Sequence, residues 1–190
     1  MSRVYQKRSA VRYLRTVYFA LAALLCFSAA LTAQTVPPAS SRQDAPAAAE
    51  LKIAITGDVP TPLTLTAADL AAMPRETAEI TEQDGQKITY EGVPLQEVLQ
   101  RAGVAFGREM RGKNLAGYVL AQAHDGYAVL FGLGEIDSSL SGQKILVVDK
   151  RDGKPLFSYQ GPARLVLPGD KEGARSVRML EKLEVVKLRK

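Results

Sequence analysis

Histidine and aspartate stand side by side at positions 124 and 125, followed by a glycine and a tyrosine. His124 is the only histidine of the sequence, and an imidazole can transfer protons near neutral pH. Tyr127 could donate a hydrogen bond beside it. Neighbouring side chains on a strand point to opposite faces, however, and Asp-Gly is ordinary turn chemistry. His124, Asp125 and Tyr127 are therefore catalytic candidates, with a simple turn as the alternative.

Composition excludes several other kinds of chemistry. Cys26 is the sole cysteine and lies in an apolar N-terminal run, so the rest of the chain has no disulfide, thiolate ligand or thiolate nucleophile. A single histidine excludes a multi-histidine zinc site. The sequence contains no G-x-S-x-G elbow, P-loop or dinucleotide-binding glycine pattern. We expect no zinc, haem or nucleotide cofactor.

Residues 1–33 have the order of a secretory signal peptide. A basic segment without acids precedes an apolar run over 17–31, and small residues follow. We expect cleavage after Ala33 or Ala30, and a periplasmic or secreted protein. The apolar run is shorter than the roughly 20 residues that span a bilayer comfortably. An uncleaved leader, which would anchor the domain to a membrane, is the alternative.

The positive charge of the chain belongs to this leader. The sequence has 25 basic and 20 acidic residues, and five of the basic residues but none of the acidic ones lie in 1–33. The remainder has 20 of each, so its formal net charge is zero. A nucleic-acid partner, which would need a basic surface, is not expected.

Short elements must position the candidate residues. Residues 34–50 are rich in Ala, Pro, Ser and Gln and predict a flexible linker, so 51–190 form one domain. Thr66 is expected to cap a helix over 67–73, and Pro94 to begin a helix that ends before Gly103. Apolar patterns predict strands over 51–55, 63–65, 77–82, 86–90, 118–121, 127–131, 144–149, 165–167 and 183–188. The order predicts an α+β fold with a mixed sheet.

Three groups of motifs occur in a fixed order along this domain. They comprise residues 66–74 with 90–103, residues 123–127 with 133–136, and residues 152–156 with 161–169 and 173–180. Together they resemble the molybdopterin-binding domain of the sulfite oxidase family, in particular its small stand-alone members. The resemblance covers nearly all of residues 51–190 and implies that family's fold.

The resemblance also implies a metal ligand that this sequence lacks. In the family, a pyranopterin holds molybdenum through a dithiolene, and one cysteine thiolate completes the protein's hold on the metal. The corresponding interval, residues 75–89, contains no cysteine. Soft thiolate ligation is therefore excluded, and we assign no metal ligand. Glu82 or Asp84 could offer a harder oxygen ligand, with a solvated hairpin turn as the alternative.

The phosphate-binding end of the family pattern is better kept. The resemblance assigns cofactor binding to Arg164, Gly173, Arg175, Ser176 and Arg178. The match is physically sensible, because guanidinium groups bind phosphate oxygens in pairs and backbone amides near Gly173 add donors. The alternative is a charged loop whose arginines pair with Glu172 or Glu181. Arg164 could likewise pair with an acid.

These observations lead to one hypothesis with two rivals. The leading hypothesis is an exported domain that keeps a pocket for a small anion or pterin, with molybdopterin as the implied cofactor, and has lost thiolate-supported molybdenum redox catalysis. The first rival is a cofactor-free periplasmic module that binds a protein partner or small ligand. The second is a true molybdenum oxidoreductase with a non-cysteine ligand. Whether the protein is an enzyme stays open.

Overall fold

The computed structural model describes residues 50–81 and 85–188. The predicted leader, nearly all of the predicted linker and the candidate ligands Glu82 and Asp84 lie outside these ranges. In the two ranges, no helix is long and apolar enough to cross a membrane.

The described residues form ten strands and three short helices. The strands are β1 (Lys52–Gly57), β2 (Leu63–Thr66), β3 (Glu76–Thr81), β4 (Lys87–Pro94), β5 (Gly117–Ala123), β6 (Ala128–Gly132), β7 (Leu146–Arg151), β8 (Lys154–Pro155), β9 (Arg164–Val166) and β10 (Leu180–Lys187). The helices are α1 (Ala67–Ala71), α2 (Leu95–Arg101) and α3 (Leu133–Ile136). Single 3₁₀ turns occur at Gly107–Glu109, Gly112–Leu115 and Gly173–Arg175.

The strands make two sheets rather than one. The first sheet has the order β2-β1-β10-β5-β6, and it is mixed because β1 and β10 are parallel while the other pairs are antiparallel. The second sheet is antiparallel: β3, β4 and β7 lie side by side, and both β8 and β9 pair with β7. The predicted mixed sheet is thus the first sheet, and the α+β class is confirmed.

The main core lies between the two sheets. Ile53 and Ile55 of β1 are fully buried there, as the alternation of residues 51–55 predicts. Val147 and Leu165 of the second sheet face the same core. A second, smaller apolar cluster lies on the other face of the second sheet and contains Tyr90. The second sheet is therefore buried on both faces near its centre.

The helix ends show how local chemistry sets the boundaries. Thr66 caps α1 as predicted, and its backbone N–H donates to the Asp69 carboxylate at 2.8 Å. Pro94 is extended, with ψ at 133°, because it still pairs with β7; α2 therefore begins one residue later than predicted. Gly103 has φ at +81°, the left-handed stop that the sequence predicts. The very short elements α3 and β8 were not predicted, since so few residues carry no periodicity.

Candidate functional site

A cleft of about 400 Å³ opens on the second sheet, on the face away from the main core. The end of β3 contributes Ile80 and Thr81 to its wall, β4 contributes Tyr90 and β9 contributes Arg164. The loops on either side of β9 provide the rest. Four of the five residues assigned to cofactor binding line it, namely Arg164, Gly173, Ser176 and Arg178. Arg175 does not line the cleft.

The floor of the cleft is formed by the polar side chains of Tyr90, Gln160 and Arg164. Arg164 is 8% exposed, and its Nη1 donates to the Tyr90 hydroxyl at 2.9 Å. Its guanidinium also lies 5.3 Å from the centre of the Tyr90 ring. Gln160 is buried, and its Nε2 donates to the Tyr159 hydroxyl at 3.2 Å. Among the residues that the structure describes, the buried Oε1 of Gln160 has no hydrogen-bond partner, an arrangement that a ligand or water donor would relieve.

Arg178 lies exposed at the edge of this cleft. Its guanidinium rests on the face of the Tyr159 ring, 5.4 Å from the ring centre. It forms no ion pair with any carboxylate in ranges 50–81 and 85–188. Lys171, which is also exposed, lines the same cleft. The edge of the cleft therefore carries positive charge that is available to an anion.

Arg175 is instead enclosed by two carboxylates. Its Nε and Nη2 donate to Asp170 at 2.8 and 2.7 Å, and its Nη1 donates to Glu135 at 2.5 Å. Hydrogen bonding to Asp170 and then to Glu135 raises the pKa of Arg175, and the same guanidinium lowers the pKa of Asp170. The alternative prediction is a charged loop whose arginines pair with Glu172 or Glu181. The observed partners of Arg175 are instead Asp170 and Glu135. Cofactor binding by Arg175 stays a prediction. Its hydrogen bonds to Asp170 and Glu135 stabilise the conformation of the loop that carries it.

The residues from His124 to Tyr127 form the turn between β5 and β6. The His124 Nδ1 lies 2.5 Å from the Glu181 carboxylate, and both side chains are exposed. Asp125 accepts a hydrogen bond from the Tyr127 backbone at 2.9 Å, which is the turn chemistry of the alternative interpretation. The Tyr127 hydroxyl donates to the Ala174 carbonyl. His124 and Asp125 therefore do not act on a common group here.

This turn nevertheless packs beside the predicted phosphate-binding segment. A second cleft of about 250 Å³ is lined by Asp125 and Tyr127 together with Gly173, Ser176 and Arg178. The last three residues also line the main cleft, so the segment 173–178 separates the two. The structure thus brings Asp125 and Tyr127 next to the segment that carries Arg178, whereas His124 does not line this cleft.

The sequence of residues 39–190 matches the family described as oxidoreductase molybdopterin binding domain. The chain belongs to this family. The match begins at residue 39, within the predicted linker. It confirms the sulfite-oxidase-like resemblance and the fold class that the resemblance implied.

One solved structure supports the fold of this molybdopterin domain. It is the sulfane dehydrogenase SoxCD from Paracoccus pantotrophus, which is 22% identical, with a TM-score of 0.55. The match covers 76% of this chain and 38% of that one, so the chain spans well under half of the larger protein. No curated protein matches the sequence.

Several residues of the site were missed by sequence reasoning. Tyr90 occupies the aromatic position of the family motif over residues 90–95, which is a signal for its place on the floor. Glu135 lies in the second motif, but nothing in the sequence pairs it with an arginine 40 positions away. Tyr159 and Gln160 carry no pattern of their own.

The described residues fit the organic part of a molybdopterin better than a thiolate-bound metal. Arg178 and Lys171 supply cations for a phosphate, and buried Gln160 supplies an acceptor for a ring N–H. The end of β3, where the cysteine-bearing interval reaches the cleft, presents Thr81 instead. No cluster of three or more His, Cys, Asp or Glu side chains that could hold a metal occurs in the described part of the chain.

Proposed function

We propose that this domain binds an anionic pterin-type ligand, molybdopterin in the first instance, without thiolate-supported molybdenum redox catalysis. The observation that carries the proposal is the cleft edge at Arg178, a guanidinium without an ion-pair partner among the described residues and beside a cavity of about 400 Å³. Guanidinium groups bind phosphate oxygens through paired hydrogen bonds. A bound molybdopterin would supply the dithiolene sulfurs that hold molybdenum in this family.

The electrostatics of the cleft favour a negatively charged ligand. Asp170 and Glu172 also line the cleft and would repel an anion. Arg175 compensates the charge of Asp170 through two hydrogen bonds. Arg178, Lys171 and buried Arg164 then leave an excess of positive charge. Arg175 therefore supports anion binding without having to touch the ligand.

The proposal places the protein outside the cytoplasm. It rests here on the leader pattern of residues 1–33 and on the neutral charge of the remainder. Export as an unfolded chain would separate the domain from cofactor inserted in the cytoplasm. The proposal therefore requires that the domain either acquires its pterin ligand after export or is exported in the folded state.

The proposal is tested by the pterin content of the purified full chain. The chain is produced in a host that makes molybdopterin, and bound pterin is measured by fluorescence after oxidation. We expect about one pterin per chain in the wild type and clearly less in Arg178→Ala. A hydrogen bond to a charged group contributes about 1.5–3 kcal/mol, so its loss weakens the affinity at least about tenfold. Arg108→Ala is the matched control, since Arg108 is exposed and outside the cleft. Equal pterin in wild type and Arg178→Ala would reject the site.

The rival function is a cofactor-free binding module. Strand β6, which carries the 54% exposed Leu130, is a terminal strand of the first sheet among the described residues, and such a strand has an edge that can pair with a partner. This rival predicts no pterin in the wild type. It also predicts that partner binding depends on β6 and is unchanged in Arg178→Ala.

A further inference from the structure

We infer that Tyr159 is a positioning residue for the anion site, which rests on the function proposed above. Its ring lies under the Arg178 guanidinium, with 5.4 Å between Cζ and the ring centre, and it leaves for the ligand N–H groups that a carboxylate partner would occupy. Neither residue type nor spacing singled out Tyr159 in the sequence. Its role follows from a stack of four side chains, of which Tyr159 and Arg178 line the cleft.

The stack consists of two neighbouring aromatic rings with an arginine at each end. The Arg151 guanidinium lies 4.9 Å from the centre of the Phe157 ring. The rings of Phe157 and Tyr159 are stacked, with centres 5.9 Å apart and planes inclined by 24°. The Arg178 guanidinium lies 5.4 Å from the Tyr159 centre at the other end. Phe157 thus supports the ring that supports Arg178.

Tyr159 is also fixed from a second direction. Its hydroxyl accepts a hydrogen bond from Gln160 Nε2 at 3.2 Å. Gln160 is buried, and its backbone carbonyl accepts from the Met179 backbone at 2.9 Å, next to Arg178 in the chain. Gln160 therefore forms hydrogen bonds both with Tyr159 and with the segment that carries Arg178.

The way in which an arginine is held decides whether it can bind a ligand. A guanidinium has its N–H groups in its plane, so a carboxylate contact consumes donors while an aromatic contact over the face does not. Arg175 uses Nε, Nη1 and Nη2 on Asp170 and Glu135. Arg178 is held over a ring and has no ion pair within the described residues. The two arginines thus have separate tasks in one loop.

The test compares Tyr159→Leu with Tyr159→Phe. The full chain is produced in a host that cannot make molybdopterin and is titrated with a 6-hydroxymethylpterin phosphate monoester, followed by its fluorescence. Tyr159→Leu removes the ring, and we expect binding about threefold to thirtyfold weaker, the range that a cation–π contact supports. Tyr159→Phe keeps the ring and loses only the hydroxyl contact with Gln160, so it should weaken binding clearly less than Tyr159→Leu does.

A double variant separates positioning from general loosening of the loop. In an Arg178→Ala background, Tyr159→Leu should cause no further loss, because its effect passes through Arg178. Phe157→Leu removes a neighbouring ring of the same stack and should weaken binding less than Tyr159→Leu. Thermal unfolding of each variant establishes that it is folded before titration.

The outcomes distinguish this inference from the function on which it rests. Tyr159→Leu binding equal to wild type, with Arg178→Ala impaired, overturns the role of Tyr159 and leaves the anion site standing. Additive losses in the double variant also overturn it. Absence of pterin phosphate binding in the wild type overturns the proposed function and this inference together.

Discussion

At the scale of single residues, two arginines three positions apart both lie over an aromatic ring but differ in their contacts with carboxylates. Arg175 is enclosed by Asp170 and Glu135, whereas Arg178 lies on the Tyr159 ring. The sequence motif predicted that both would lie near the cofactor, and it could not tell them apart. The carboxylate partners decide the difference, and Glu135 lies 40 residues from Arg175 in the chain.

Arg175→Ala should lower the free energy of unfolding more than Arg178→Ala does. The substitution leaves Asp170 and Glu135 without their shared partner, and we expect a loss of about 1 kcal/mol after allowing for the 35% exposure of the Arg175 side chain. Urea denaturation measures both variants. Equal destabilisation by the two substitutions would contradict the separate tasks assigned to them.

Gly92→Ala should destabilise the fold strongly. Gly92 is part of the family motif, and a Cβ at this position would lie 2.1 Å from the Val147 carbonyl oxygen on the neighbouring strand. Strand β4 would have to move away from β7, at a cost of about 1–3 kcal/mol or more. Gly142→Ala is the control, since its Cβ meets no atom within 4 Å. Equal melting temperatures of the Gly92→Ala and Gly142→Ala variants in thermal unfolding would show this packing argument to be wrong.

At the scale of elements, the site depends on the segment between β9 and β10. Its side-chain contacts include those of Arg175 with Asp170 and with Glu135 of α3, of the Tyr127 hydroxyl with Ala174, and of Arg178 with Tyr159. The strands on either side were predicted from apolar patterns, but α3 was not. Contacts between distant segments set the conformation of this loop, so local sequence periodicity does not contain it.

Stability should depend on the ionisation of Asp170. Arg175 lowers the pKa of Asp170 below its ordinary value of 3.8. A carboxyl group with a lowered pKa in the folded state stabilises the fold above its unfolded pKa, and this contribution disappears as the pH falls through the folded pKa. We therefore expect the stability difference between wild type and Asp170→Asn to be constant near neutral pH and to shrink below about pH 4.

Urea midpoints measured at several pH values check this expectation. Glu91 also has a lowered pKa, chiefly through its hydrogen bond from Arg75, so the wild type keeps some acid sensitivity of separate origin. Subtracting the urea midpoints of Asp170→Asn from those of the wild type at each pH isolates the contribution of the Asp170–Arg175 ion pair. A difference that grows towards acid pH would contradict the assigned ion pair.

At the scale of the whole molecule, the cleft lies on the outer face of the second sheet, and Leu167 is the one described residue of its lining that belongs to the main core. Ile53 and Val147 belong to the core between the sheets, while Tyr90 and Val166 belong to the cluster on the outer face of the second sheet. The motifs predicted the family and its α+β fold. They could not predict how the strands divide into two sheets, because strand pairing is not local. The parallel pair of β1 and β10, for example, brings together segments from opposite ends of the domain's sequence.

Ligand binding should raise the melting temperature of the folded domain. A ligand that binds only the folded state stabilises it by about 2.7 kcal/mol at one hundred times its dissociation constant. We expect pterin phosphate to raise the melting temperature of the wild type and to leave that of Arg178→Ala nearly unchanged. An equal shift in both proteins would locate binding away from the Arg178 edge.

The most direct test of the account is the molar ratio of pterin and metal to protein. The mature protein is purified from the periplasm of a host that makes the cofactor, pterin is measured by fluorescence after oxidation, and molybdenum and tungsten are measured by mass spectrometry. We predict about one pterin per chain with little metal, because a metal held by the dithiolene would have no protein thiolate to complete its coordination: Cys26 lies in the predicted leader, and the sequence has no other cysteine. Stoichiometric metal would contradict the loss of metal chemistry, and absence of pterin would contradict the ligand site itself.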